Sequence, residues 1–284
     1  MGIALVTDST SDIEPQRAAT LGITVVPLFV VFGDRSYRDY LDLSRPQFYA
    51  MLANEKTLPT TSQPTARMFE DAFRPLVEAG REILCITISS HLSGTINAAR
   101  AAANEFPGAK IEIYDSQSAA GGLGMMVQRA LEIVNSAGSW SDVLAALDHE
   151  RATQRLYACL SDLSHLQRTG RIGRAQAALG TLMKIVPVIG LKDGHVVPEA
   201  QVRTFARAQA AMLDLSLAAV SDVSKARFLV MHTNAPDLAR GAKEQLRARL
   251  GDEQPRMLDI LEAGPVIAVH GGPGAVGVFV AQDV

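Results

Sequence analysis

Aromatic residues, net charge and cysteine are all scarce in this sequence. Aromatic side chains make up 5% of the 284 residues, and the formal net charge is −3. This composition argues against a nucleic-acid partner, because such proteins present basic surfaces and, for single strands, stacking rings. The two cysteines, Cys85 and Cys159, lie within apolar runs. We therefore expect buried thiols, and neither a disulfide scaffold nor a zinc site.

Long apolar runs and a basic leader are missing as well. No run approaches the roughly 20 apolar residues that cross a bilayer, and residues 1–8 contain no basic residue. We predict from this pattern that the chain has no signal peptide and is cytoplasmic, and we allow a transient contact with a membrane.

Signature motifs of common catalytic classes are absent. The sequence has no G-x-x-x-x-G-K-[ST] phosphate loop and no G-x-S-x-G nucleophile elbow. Residues 272–277 match G-x-G-x-x-G, but a dinucleotide fingerprint opens a helix, and here a strand pattern follows. We predict a tight turn at these residues, and we predict no metal site and no cofactor.

Strand and helix patterns alternate through the first half of the chain. Short apolar runs at residues 3–6, 23–32, 83–89 and 111–115 are typical of strands, and helical patterns lie between and after them. Such alternation predicts a parallel sheet covered by helices on both faces. Ligands of such sheets gather at the carboxyl ends of the strands.

The pattern changes after about residue 155. A short helix at residues 163–168 and a further helix reaching Met183 precede a hairpin centred on residues 192–194. More strands are predicted near the end, at residues 257–261, 266–270 and 276–281. The fold class is therefore α/β, with an N-terminal parallel-sheet domain at residues 1–155 and a C-terminal mixed α/β domain at residues 156–284.

Two hydroxyl-rich turns are the most informative feature of the chain. Residues 60–65 read Thr-Thr-Ser-Gln-Pro-Thr, and residues 89–95 read Ser-Ser-His-Leu-Ser-Gly-Thr. Each leads into a helical pattern, so each would place hydroxyls beside the unpaired N–H groups of a helix start. Helix capping needs one hydroxyl per helix. The excess predicts a binding site for a small anionic group.

Three further residues are candidates for that site. Asp8 follows the first strand, His270 precedes the glycine turn, and Arg171 is the middle one of three arginines spaced three residues apart. Each has a structural alternative: a turn residue for Asp8, a hydrogen-bonded strand end for His270 and a solvated loop for Arg171. As functional groups, the arginine would gate an anion. Ser93, His270 and Asp8 would make a nucleophile, a base and an orienting group.

In its ordered motifs the sequence resembles the DegV family of bacterial fatty-acid-binding proteins. The matching segments follow the family order over nearly the whole chain, at residues 6–12, 61–64, 89–95, 115–116, 170–172, 202–204 and 270–274. The family often has Gly-Gly-Arg where this chain has Thr169-Gly170-Arg171, and usually Ser where it has Thr65. Neither departure removes a ligand-binding group.

The resemblance implies a two-domain α/β fold with a long-chain fatty acid in an apolar tunnel between or within the domains. It implies a carrier without catalysis of its own, which presents the acyl carboxylate to a partner, a fatty acid kinase that makes the acyl phosphate. The positions that match carboxylate-binding residues are Thr61, Ser93, Gly94 and His270, and those near the site or at its gate are Arg171, Ser62 and Asp8.

Two alternatives stay open at this point. A serine hydrolase or acyl transferase would use Ser93 and His270 and would turn over esters. A substrate-binding subunit similar to that of dihydroxyacetone kinases would hold a small ketone covalently on a histidine, and it would have no room for a long apolar tail.

Overall fold

The computed structural model describes residues 2–55, 57–161, 163–175 and 185–283. The chain divides into two compact units. The first comprises Met1–Asp148 together with Gly264–Val266, and the second comprises His149–Ala263 and Ile267–Val284. The domain boundary between residues 155 and 156 stays a prediction. The predicted helix reaching Met183 lies mostly outside the described residues.

The strands are, in chain order, β1 Ile3–Asp8, β2 Thr24–Val26, β3 Phe29–Phe32, β4 Arg35–Arg38, β5 Thr60–Ser62, β6 Glu82–Thr87, β7 Ile111–Asp115, β8 Arg155–Cys159, β9 Val186–Lys192, β10 His195–Val202, β11 Ala226–His232, β12 Met257–Glu262 and β13 Val276–Gln282. The α-helices are α1 Pro15–Leu21, α2 Arg45–Asn54, α3 Ala66–Glu78, α4 Thr95–Ala103, α5 Ala120–Asn135, α6 Trp140–Thr153, α7 Ser164–Arg168, α8 Phe205–Ala218, α9 Pro236–Leu250 and α10 Pro265–Gly271. None of these described helices is long and apolar enough to cross a membrane.

A parallel sheet with strand order β2-β1-β6-β7 forms the centre of the first unit. Val6 of β1 pairs with Thr24 on one side and with Cys85 on the other. Because successive strand residues point to opposite faces, Leu5 and Leu84 join one core cluster while Val6 and Cys85 join another. Burial of both faces explains why these strands are continuous apolar runs.

A second, three-stranded sheet of the first unit has the order β4-β3-β5. The apolar run at residues 23–32 is divided at Pro27, so that β2 joins the parallel sheet and β3 joins this one. Residues 60–62 form β5 and pair antiparallel with residues 29–31 of β3. The prediction of a plain turn at residues 60–65 is therefore wrong for its first three residues.

The second unit contains a six-stranded mixed sheet with the order β10-β9-β8-β13-β11-β12. The β11–β12 pair is parallel, and the other pairs are antiparallel. The predicted hairpin is confirmed, with Lys192 opposite His195 and with positive φ angles at Asp193 and Gly194. The predicted α/β fold, with a parallel sheet first and a mixed sheet second, is confirmed.

One predicted strand is a helix. Residues 266–270 have the composition of a buried strand, yet α10 spans Pro265–Gly271. Pro265 suits the first turn of a helix, where no N–H is required. A run of four apolar residues and one histidine is too short for its periodicity to separate a buried strand from a buried helix. His270 therefore lies in the last turn of a helix and not at the end of a strand.

Candidate functional site

Two carboxylates hold the turn that follows β6. Asp8, at the end of β1, accepts a hydrogen bond from the N–H of Ile88 at 2.8 Å. Asp115, at the end of β7, accepts one from the N–H of Ser90 at 3.2 Å. Since β1 and β7 flank β6, the turn is held from both sides, at the carboxyl ends where parallel sheets bind ligands.

Ser89 folds the backbone of this turn. Its carbonyl oxygen accepts hydrogen bonds from the N–H groups of Leu92 at 3.0 Å and Ser93 at 3.1 Å. Its hydroxyl accepts one from the N–H of His91 at 3.2 Å. The hydroxyl of Ser93 lies 2.8 Å from that of Thr95 and accepts the Thr95 N–H at 3.3 Å. These bonds place the Ser93 hydroxyl at the start of α4.

Gly94 adds an open donor beside that hydroxyl. It is the N-cap residue of α4, with φ −76° and ψ 10°. Its N–H makes no hydrogen bond to any part of the chain that the structure describes. The N-terminal end of a helix is also its positive end. An incoming anion would therefore meet the Ser93 hydroxyl and the Gly94 N–H side by side.

The other hydroxyl-rich segment contributes Thr61 from β5. Thr61 pairs with Val30, and its side chain is half-buried, whereas Thr60 and Ser62 are exposed. Alternate strand residues point to opposite faces, so Ser62, predicted near the site, lies on the other face of the strand from Thr61. Thr65 accepts the N–H of Met68 and caps α3.

The two hydroxyl-rich segments meet at Gly94. A Cβ atom added to Gly94 would overlap the side-chain oxygen of Gln63 and would lie 3.2 Å from its Cδ. Gln63 is only two residues from Thr61. The structure therefore brings the Thr61 segment and the Ser93 turn together, as the predicted anion site requires.

Asp8 acts on this site through the backbone. One of its oxygens accepts the N–H of Thr10 at 3.0 Å and also the Thr10 hydroxyl, and the other accepts the N–H of Ile88. Burial raises the pKa of Asp8 to about 6, and these hydrogen bonds oppose the rise because they favour the ionised form. Asp8 thus holds the turn in place. It is fully buried, so it is not accessible for direct contact with a ligand.

His270, in the second unit, is a neutral histidine fixed by a threonine. Its Nδ1 lies 2.9 Å from the hydroxyl oxygen of Thr169. That hydroxyl donates to the carbonyl of His165 at 2.8 Å, so we assign Nδ1 of His270 as the donor to Thr169. Burial, followed by electrostatic interactions with Arg171 and His165, lowers the pKa of His270 to about 3.

Arg171 is positioned by the end of α7. Gly170 has a φ of +73°, and the N–H of Arg171 donates to the carbonyl of Leu166 at 3.0 Å. This is the Schellman pattern, which needs a residue in the left-handed region and favours glycine there. The guanidinium of Arg171 donates to the carbonyl of Thr169 at 2.5 Å. Arg171 and His270 therefore share Thr169 as a neighbour.

The G-x-G-x-x-G segment is a tight turn, as predicted. Gly272 and Gly274 have φ angles of +70° and +86°. Thr233 fastens the turn: its hydroxyl donates to the carbonyl of Gly272 and accepts the N–H of Ala275 at 3.0 Å, and its carbonyl accepts the N–H of Gly274 at 2.7 Å. The strand β13 follows, where a dinucleotide site would need a helix.

The chain matches one protein family along almost its whole length. The model of the DegV family, which is described as uncharacterised, matches residues 2–283. This chain belongs to the DegV family. A DegV domain-containing protein of Halalkalibacterium halodurans is 36% identical over 276 residues, which are 97% of this chain and 96% of that protein. One from Deinococcus radiodurans is 37% identical over 278 residues, which are 98% of both chains.

Solved DegV structures share the fold. A fatty-acid-binding DegV family protein from Thermus thermophilus has a TM-score of 0.93 and 34% identity, with 99% of this chain and 100% of that chain covered. DegV from Bacillus subtilis, a fatty-acid-binding protein, has a TM-score of 0.89 and 31% identity, with both chains fully covered.

The DegV geometry does not favour the catalytic triad considered from the sequence. A triad needs an aspartate whose carboxylate orients Nδ1 of the histidine. The Asp8 carboxylate is used by Thr10 and Ile88, and Nδ1 of His270 is used by Thr169. Among the described residues, no group of three or more His, Cys, Asp or Glu side chains could hold a metal ion.

Sequence reasoning missed a buried acidic cluster in this DegV chain. Asp12 and Asp39 are 3% and 1% exposed. Asp12 accepts the hydroxyl of Tyr40 at 3.0 Å and the N–H of Gly264 at 2.8 Å, and Asp39 accepts the N–H of Val266 at 3.4 Å. Burial is the main cause that raises the pKa of Asp12 to about 7 and that of Asp39 to about 8. In the sequence, the one sign of this cluster was Asp12, the second acidic residue of the segment Thr-Asp-Ser-Thr-Ser-Asp at residues 7–12.

Proposed function

We propose that this chain binds a long-chain fatty acid and holds its carboxylate at Ser93, Gly94 and Thr61. The observation that carries the proposal is the Gly94 N–H, which has no described partner and lies beside the Ser93 hydroxyl where the two hydroxyl-rich segments meet. The ligand class is supported by the relatives from Thermus thermophilus and Bacillus subtilis, which share the fold over the whole chain and bind fatty acids.

The acyl tail and the head group would contribute differently to binding. Burial of a sixteen-carbon chain removes about 14 methylenes from water, on the order of 11 kcal/mol in gross terms at ~0.8 kcal/mol each. Each hydrogen bond to the charged head group adds roughly 1.5–3 kcal/mol. The tail therefore supplies most of the affinity, and the Ser93 turn fixes where the carboxylate lies.

The donors at the head group are all neutral. Hydroxyl and amide donors favour the ionised form of a carboxylic acid and so lower its pKa. The bound fatty acid is therefore a carboxylate at pH 7, which is the nucleophilic form. Two predicted roles stay predictions: that His270 lies beside the carboxylate and that Arg171 lies at the gate. The variants His270→Gln and Arg171→Lys test them by measuring fatty acid retention.

We further propose that the chain is a carrier that presents this carboxylate to a separate fatty acid kinase. In that step a carboxylate oxygen attacks the γ-phosphorus of ATP, which forms the acyl phosphate and releases ADP. The absence of a phosphate-loop motif in the sequence supports a separate kinase. Hydroxylamine traps acyl phosphates as hydroxamates. We expect hydroxamate only when loaded carrier, kinase and ATP are all present, and its formation without the kinase would contradict the carrier role.

Lipid extraction tests the binding proposal. Protein purified without detergent is extracted and its lipid is identified by mass spectrometry, after which stripped protein is titrated with hexadecanoate. We expect about one fatty acid per chain. Stripped protein that takes up no hexadecanoate would refute the proposal.

The anchors are tested by the double variant Thr61→Ala/Ser93→Ala. It should weaken hexadecanoate binding at least tenfold, the scale of one hydrogen bond to a charged group. The matched control is Thr20→Ala/Ser136→Ala, which removes two exposed hydroxyls that bond only to the carbonyls of their own helices among the described residues. Equal binding by both double variants would place the carboxylate elsewhere.

A further inference from the structure

The amide of Gln63 lies directly on Gly94. A Cβ atom added to Gly94 would overlap the amide oxygen and would lie 3.2 Å from Cδ and 3.3 Å from Nε2. All three amide atoms are thus close to the Cα of Gly94. The Gln63 side chain is exposed and makes no hydrogen bond to any residue in the described part of the chain. Its polar atoms are therefore available to a ligand.

The backbone does not explain the glycine at position 94. Its φ of −76° is one that any residue adopts, in contrast to Gly170, which needs its positive φ. A side chain at position 94 would occupy the space that the Gln63 amide fills. The absence of a Cβ at Gly94 therefore leaves room for this amide, and we call this space the seat of Gln63.

The backbone of Gln63 is fixed on both sides. Ser62, before it, ends β5 and pairs with Phe29. Pro64, after it, is buried, and Thr65 caps α3. A side chain on a fixed backbone loses less conformational freedom when it binds a ligand than one on a mobile loop does. The fixed backbone of Gln63 therefore favours binding through its side chain.

We propose that Gln63 is a further binding residue of the site, whose amide N–H₂ donates to the fatty acid carboxylate beside the Gly94 N–H and whose position is set by its seat on Gly94. This inference rests on the proposed function. An amide donor pairs well with a carboxylate, which only accepts hydrogen bonds. Gln63 would therefore favour an acid head group over an alcohol of the same chain length.

Variants of Gln63 test its role as a donor. Gln63→Leu should weaken hexadecanoate binding about tenfold, the scale of one hydrogen bond to a charged group. Gln63→Glu should weaken it further, because a second carboxylate repels the first, while hexadecanol binding stays within about twofold. The control, Gln16→Leu, changes an exposed glutamine of α1 and should leave both affinities unchanged. A Gln63→Leu variant with wild-type affinity, or an unchanged acid-to-alcohol ratio, would overturn the inference.

A double-mutant cycle tests the seat. Gly94→Ala should displace the amide and weaken hexadecanoate binding by a factor similar to that of Gln63→Ala. In a Gln63→Ala background the same Gly94→Ala change should cost less than about twofold, because coupled residues are not additive. Equal losses in both backgrounds would show that Gly94 does not act through Gln63. If the wild-type protein binds no hexadecanoate, the proposed function fails. If the wild-type protein binds hexadecanoate and the Gln63 variants bind it with the same affinity, only this inference fails.

Discussion

The buried carboxyl of Asp39 makes the stability of the first unit depend on pH. Asp39 is 1% exposed, and burial is the largest of the causes that raise its pKa from 3.8 to about 8. The Ser9 hydroxyl, the Val266 N–H and Arg45 oppose that rise, and the neighbouring Asp12 adds to it. The informative change is Asp39→Asn, which keeps the shape of the protonated acid and cannot ionise.

The size of the effect follows from the two pKa values. Between pH 5 and pH 7 the folded protein keeps a proton on Asp39 that the unfolded chain has lost. The stabilising contribution is complete below pH 3.8 and is lost as the pH rises through about 8. Between these two pKa values, Asp39 makes the free energy of unfolding fall by about 1.4 kcal/mol for each pH unit. Asp39→Asn should therefore flatten the profile by about 3 kcal/mol between pH 5 and pH 7.

Urea unfolding at pH 5, 6 and 7 measures this difference. Trp140, the single tryptophan, belongs to the first unit and reports on its unfolding by fluorescence. The control is Asp42→Asn, since Arg38 lowers the pKa of Asp42 to about 2 and it does not titrate between pH 5 and pH 7. The control should shift stability equally at every pH. Parallel profiles for the wild type and Asp39→Asn would refute the reasoning.

Three further predictions concern other parts of the chain. Asp8→Asn removes an acceptor from Ile88 or Thr10 and should destabilise the first unit by about 1–3 kcal/mol and weaken hexadecanoate retention; unchanged values for both would contradict the role of Asp8. Gly173→Ala puts a Cβ at a φ of +55°, 2.7 Å from the carbonyl of Val196, and should cost at least about 1–2 kcal/mol in urea unfolding, whereas Gly241→Ala in the open middle of α9 should stabilise by about 0.5–1 kcal/mol; the reverse order would count against the described backbone. Both cysteines are fully buried, and burial raises the pKa of Cys159 to about 12 and that of Cys85 well above its usual value, so a thiol reagent should modify them only as fast as the protein opens, and rapid modification of native protein would show that they are accessible.

Local patterns predict much of this fold. The central strands of the parallel sheet are visible in the sequence because both of their faces are buried, so that Ile3–Asp8 and Glu82–Thr87 are short and largely apolar. The hairpin is visible because Asp193 and Gly194 tolerate the positive φ that a two-residue turn needs. The Ser93 turn is visible because it has more hydroxyls than capping requires.

Long-range contacts explain what local patterns miss. The strand Thr60–Ser62 is polar, and it forms because β3 lies about thirty residues earlier and offers it an edge. Asp12 looks like a turn residue, yet its buried carboxylate accepts a hydrogen bond from the N–H of Gly264, which is 252 residues away. The seat of Gln63 on Gly94 likewise depends on how two distant segments pack. No local periodicity carries such information.

The central claim is that the turn of Ser93 and Gly94 holds a fatty acid carboxylate. A crystal structure of the protein saturated with hexadecanoate measures this directly. We predict a carboxylate with one oxygen within about 3.2 Å of the Gly94 nitrogen and within about 3.0 Å of the Ser93 hydroxyl oxygen. A carboxylate bound anywhere else, or no acyl density at saturating hexadecanoate, would contradict the account.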